Sequence, residues 1–188
     1  MINNKNVAQF AEIDKEDVGV VGGKGANLGE MTKAGFPVPG GFVVTAHAYQ
    51  HFLKVNNLVP KMHEILDGLD VSDPVSLGQA SLRIKKLITT SPIPEDLAKD
   101  IVSSYLSLGK QLKSGKSKLS RILHHFESDM IPVAVRSSAT SEDSKTASFA
   151  GQNETFLDVR GEANVVDAVR RCWASLFEAR AIFYRSDR

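Results

Sequence analysis

Apolar positions in this chain follow two rhythms, and the change from one to the other marks its elements. An apolar run at 18–21 breaks into Gly22-Gly23-Lys24-Gly25, which reads as a strand or extended stretch before a glycine turn. The next segment, 26–34, carries Leu28 and Met31 on one face and ends at Gly35, a natural residue just past a helix C-terminus. Pro37 and Pro39 then hold an extended approach, and Gly40-Gly41 turn into the strand Phe42-Val43-Val44. Thr45 caps a helix that carries Tyr49, Phe52 and Leu53 inward. In the middle of the chain, Ser72-Asp73-Pro74 supplies a cap and a first-turn proline, and Leu77, Ala80, Ile84 and Leu87 recur at helical spacing until Pro92. Pro94, Glu95 and Asp96 open another helix, with Leu97, Ile101, Leu108 and Leu112 on one face. The short joint predicts an antiparallel pair that serves as scaffold. Further on, a β-rich run at 132–135 ends in Arg136, a polar stretch follows, and 154–159 reads as a second strand. Gly161 turns the chain into a helix with Val165, Val169, Trp173, Leu176 and Phe177 along one side. The helical pattern of 179–188 stops without cap, glycine or proline, which reads as a piece of a longer chain.

Two cations stand where anions are handled. Arg136 sits at a strand end, and the loop after it is crowded with Ser, Thr and acidic residues, while Ala147, Ser148, Ala150 and Gly151 keep side chains out of a ligand's way. An ordinary connection facing water is the alternative reading of such a loop. Lys24 falls in the first helical turn, where the helix dipole disfavours a cation and free N–H groups favour an anion, so its charge reads as serving a bound anion. Neither standard glycine loop is present. The Walker A pattern would need glycine at Val18 and Ser or Thr at Gly25. The dinucleotide fingerprint is one residue out of register at Gly23, Gly25 and Gly29.

Other chemistry reads as weaker. His47 and His51 lie four apart on a helix, but Ala48 replaces the glutamate of HExxH and no third ligand stands nearby, so they read as a surface pair. Adjacent His124 and His125 would not face one another on a helix. Cys172, beside Trp173, reads as core, with no base to activate it.

Composition narrows the setting. The chain has 188 residues, 42% hydrophobic and 24% charged, which is ordinary for a globular domain, and a net charge of +1 gives no global pull toward nucleic acid or an anionic membrane. The basic segment 110–121 lacks aromatic residues and reads as a solvated linker rather than a nucleic-acid surface. A single cysteine excludes an internal disulfide, no apolar run reaches bilayer length, and the N-terminus lacks a signal peptide's apolar core. A cytoplasmic protein is expected.

Two blocks, VGGKGANLGEMTKAGFPVPGGFVVTAHAY and PVAVRSSATSEDSKTASFAGQNETFLDVRG, together nearly a third of the chain, resemble the N-terminal nucleotide-binding region of phosphoenolpyruvate synthases. The pattern is shared more loosely by pyruvate phosphate dikinase, glucan water dikinases and rifampicin phosphotransferases. The resemblance implies an α/β (α+β), ATP-grasp-like fold in which two subdomains clasp ATP. Residues 1–188 would form the N-terminal subdomain, a small mixed sheet with packed helices and a helical portion at about 72–112, and the second subdomain would be absent. It further implies that Lys24 and Arg136 reach the phosphates and that the loop 140–151, with Thr140, Ser141, Thr146, Ser148 and Gly151, closes over them. Mg2+ ligands and a phosphohistidine domain would lie elsewhere in the parent chain. The implied reaction converts ATP, pyruvate and water to AMP, phosphoenolpyruvate and phosphate, and the isolated piece would be inactive. A rifampicin phosphotransferase, another dikinase of the family, or a non-catalytic nucleotide-binding module would carry the same blocks.

Overall fold

The computed structural model describes residues 2–114, 130–138 and 154–186. Strand β1 (Val7–Gln9) pairs antiparallel with β2 (Phe42–Val44), Ala8 opposite Val43. Between them run two 3-10 turns, Phe10–Glu12 and Lys15–Asp17, and the helix α1 (Val18–Lys33). Ile2, Ala8, Ile13, Val21 and Ala26 form a small core here, with Phe10, Val20 and Val43 packed on it. Close approach depends on small residues, since a Cβ on Gly29 would come within 2.7 Å of Ile13.

The 18–21 run is helical, not the strand or extended stretch its valines predict. Burial of Val21 in the small core outweighs the weak strand preference of valine. The glycine turn itself is present as a break inside α1, where Gly22 adopts φ 73 and ψ 167. A Cβ there would overlap the carbonyl oxygen of Ser138, so the position excludes a side chain both by conformation and by space. At the far end, Gly35 (φ 79) donates to the Thr32 carbonyl at 3.1 Å and Phe36 to the Met31 carbonyl at 3.0 Å, the paired bonds that close a helix through a left-handed glycine.

Helices dominate the centre. Thr45 caps α2 (Ala46–Val55) by accepting from the Ala48 N–H at 3.2 Å, and its hydroxyl donates to the Lys5 carbonyl at 2.6 Å, which ties the helix to the β1 end. Helix α3 (Leu58–Leu66) has no clear signal in the sequence, where Asn56-Asn57 and Pro60 interrupt the helical pattern, and Asn57 takes a left-handed conformation (φ 49) at its start. Proline in a first turn leaves no helical hydrogen bond unmade, so the helix forms all the same. The next two are α4 (Pro74–Thr90) and α5 (Glu95–Ser114), and the chain closes with α6 (Glu162–Ser175) and α7 (Ala179–Ser186). The predicted antiparallel pairing of α4 with α5 gives way to a different arrangement: both pack chiefly on α6, which arrives late in sequence but central in space. Val165, Val169 and Trp173 of α6 share one core with Leu77, Ile84 and Ile88 of α4 and with Leu97 and Ile101 of α5, and the Trp173 ring also lies 5.0 Å from Phe52 and 5.4 Å from Tyr49 of α2. Burial of so large an apolar surface outweighs what two consecutive amphipathic helices gain from each other.

Strand β3 (Val133–Arg136) pairs antiparallel with β4 (Thr155–Val159). The register slips by one residue between Val133 and Val135, and Asp158 (φ 53) takes the left-handed conformation in the bulged strand. The architecture is the α/β one expected, small sheets packed with helices, and among the described residues the strands form two separate antiparallel pairs. Val133 and Val135 face the main core, so Ala134 and Arg136 point outward by the twofold alternation of a strand. The Tyr105 hydroxyl of α5 sets where β3 begins, donating to the Ile131 carbonyl at 2.7 Å and accepting from the Gly161 N–H at 3.1 Å.

Two outcomes follow from these contacts. Gly22→Ala should lower the melting temperature by at least about 5 °C, since a positive φ and a backbone overlap together cost roughly 2 kcal/mol or more. A melting temperature unchanged from wild type would show that the chain can relax around Gly22. Asp73, the cap of α4, has its carboxyl held below the usual aspartate range by the Ser76 hydroxyl first and then by the Ser76 and Val75 N–H groups. A lowered folded-state pKa stabilises above the unfolded value and is lost as pH falls through the folded one. The melting-temperature gap between wild type and Asp73→Asn should therefore narrow from about pH 5 to about pH 2. A constant gap would mean that the carboxylate charge plays no part in the cap.

Candidate functional site

In an unbroken helix the Gly25 N–H would bond to the Val21 carbonyl four residues earlier. Here Gly22 breaks the ladder, and the Ser138 hydroxyl stands in that rung, accepting from the Gly25 N–H at 2.9 Å and donating to the Val21 carbonyl at 2.7 Å. A side chain inserted in this way is one of the recognised causes of a helix kink. Gly22 then acts as a cap residue without a side chain, and Ser138 supplies the missing cap oxygen from another element.

The consequence concerns the two cations. Lys24 is half-buried and lies between Val21 and Gly25, inside the interrupted rung, in the first turn after the break. Arg136 is the last residue of β3, opposite Thr155, exposed, and two residues before Ser138. Segments more than a hundred residues apart in sequence are therefore joined by hydrogen bonds at the positions flanking both predicted phosphate ligands. First-turn N–H groups, a lysine and a strand-end arginine together suit a polyanion. Thr140, Ser141, Thr146, Ser148 and Gly151 lie outside the described residues, as do His124 and His125.

Ser138 is the residue that sequence reasoning missed. One serine among many in a polar loop carries no local signal, and the clue lay far away, in a glycine that interrupts an apolar run. The remaining candidates resolve simply. His51 Nε2 lies 2.9 Å from a carboxylate oxygen of Asp96 on α5, and among the described residues no three His, Cys, Asp or Glu side chains converge as a metal site. Cys172 is buried, and its thiol is pushed up to about 12 by burial first and by the Glu154 charge second, so it is an inert core residue at neutral pH. No helix among the described residues is long and apolar enough to cross a membrane.

Comparison with known proteins joins this geometry to a family. Residues 18–188 match the family described as pyruvate phosphate dikinase, AMP/ATP-binding domain. The chain is 52% identical over 183 residues to a protein named probable phosphoenolpyruvate synthase from Methanothermobacter thermautotrophicus, covering 97% of this chain and 25% of that one. A protein of the same name from Methanocaldococcus jannaschii is 48% identical over 181 residues, 96% of this chain and 14% of its own length. The phosphoenolpyruvate synthase of Pyrococcus furiosus is 41% identical over 209 residues, 94% of this chain and 24% of its own. The chain thus spans a quarter or less of the length of these relatives. With the match running through both blocks that Ser138 ties together, the chain belongs to the pyruvate phosphate dikinase AMP/ATP-binding domain family.

Proposed function

We propose that this chain is the ATP-binding part of a phosphoenolpyruvate synthase, one half of an ATP-grasp-like clasp whose second subdomain lies elsewhere in a longer protein. The observation that carries the reading is the junction at Ser138, which brings the turn bearing Lys24 to the strand end bearing Arg136. The names of the relatives favour a phosphoenolpyruvate synthase over a rifampicin phosphotransferase or a non-catalytic module. In the intact protein the reaction would consume ATP, pyruvate and water and release AMP, phosphoenolpyruvate and phosphate, by way of a phosphohistidine on another domain. A reducing, cytoplasmic setting agrees with one buried, unpaired cysteine.

Phosphoryl transfer asks for positioned positive charge more than for covalent chemistry. Lys24 would place a point charge on the phosphate oxygens, and Arg136 a planar fork able to grip two of them. Thr140, Ser141, Thr146, Ser148 and Gly151 would supply donors from a loop that closes over the same phosphates. Magnesium does not fit the described residues, which hold no cluster of carboxylates for it. Its ligands would lie elsewhere in the longer protein. Half a clasp would bind ATP weakly and would not turn over alone.

Arg136→Ala tests the reading directly in the intact protein. It should weaken Mg-ATP binding about tenfold to a hundredfold, the loss of one or two charge-assisted hydrogen bonds. Melting temperature should stay within about 2 °C, because the side chain is exposed and pairs with none of the described residues. Unchanged affinity, or stability lost in proportion to affinity, would make Arg136 a structural residue instead.

A further inference from the structure

We infer that Ser138 is a positioning residue for the ATP site, its hydroxyl setting where Lys24 stands relative to the Arg136 strand. The inference rests on the nucleotide reading above and assigns a role to a residue that need not touch ATP. Three observations carry it. The hydroxyl occupies both sides of the broken rung, one bond to Val21 and one to Gly25, so it reports on the main chain on either side of Lys24. The main chain of Ser138 is docked as well as its side chain, since its carbonyl fills the space where Gly22 would carry a Cβ. Its two-residue separation from Arg136 leaves little slack between the junction and the second cation.

Removing the hydroxyl leaves two ways to satisfy the Val21 carbonyl and the Gly25 N–H. Direct bonding would require Gly22 to become helical, which straightens α1 and displaces the turn that carries Lys24. Water in the rung would keep the kink but release the strand. Either way the lysine and the arginine lose their common reference, and a displacement of about 1 Å is enough to cost a positioned site much of its function.

The test is a double-mutant cycle on Mg-ATP dissociation constants in the intact protein. Ser138→Ala should raise the constant about tenfold in the wild-type background and less than about twofold when Lys24→Met is already present, because a positioning residue acts through the lysine. Ser138→Thr, which keeps the hydroxyl, should restore most of the affinity, and the Gly25 amide should exchange at least about tenfold faster in Ser138→Ala alone. Should Ser138→Ala not fold, Ser138→Cys, with a weaker donor and acceptor, carries the same comparison. Equal factors in both backgrounds would overturn the inference, as would unchanged affinity alongside faster Gly25 exchange. If Lys24→Met by itself leaves ATP binding unchanged, the nucleotide reading fails first and this inference with it.

Discussion

The hydroxyl of Ser138, standing between the Val21 carbonyl and the Gly25 N–H, closes a span of 113 residues from Gly25. Loop-closure entropy for a span of that length is roughly 4 kcal/mol or more, whereas a hydrogen bond contributes about 1 kcal/mol net. The serine cannot hold the two halves together unaided. It completes a proximity that the helical core enforces, and its value lies in fixing the last ångström rather than in bringing distant segments near.

That enforcement can be followed residue by residue. Trp173 on α6 gathers Phe52 and Tyr49 from α2, while α4 and α5 pack against the same helix. Tyr105 of α5 then holds the Ile131 carbonyl and the Gly161 N–H, the points where the chain enters β3 and α6. Val133 and Val135 anchor β3 on the core, and alternation turns Arg136 outward. On the other side, β1 and β2 hold α1 over the small core, with Gly29 against Ile13. Val7, Phe42 and Val44 also pack on the main core, and Ser138 adds a direct link from α1 to the end of β3.

Such an arrangement suits a site whose work is electrostatic. A chain with a net charge of +1 has no general attraction for a triphosphate, so affinity depends on where a few cations stand. Several charged groups of the scaffold stand in surface pairs, such as Lys5 with Glu12 and His51 with Asp96, which contribute little to stability. Lys24 and Arg136 are placed by the elements that carry them, one beside a helix break and the other at a strand end.

Local signals in the sequence determined the caps and boundaries: Thr45, Asp73-Pro74 and Gly35 mark helix ends because each satisfies or frees backbone groups within a few residues. They also determined the two cations and the blocks around them, since a motif is a short-range pattern. Tertiary structure alone decided that valines 18, 20 and 21 join a helix, that α4 and α5 prefer α6 to each other, and that the strands among the described residues form two separate pairs. Each of these depends on burial against residues distant in the chain, which periodicity cannot report. Ser138 belongs wholly to that second class, because its meaning is a hydrogen bond to a helix rung that exists only when Gly22 breaks it and the core brings β3 alongside.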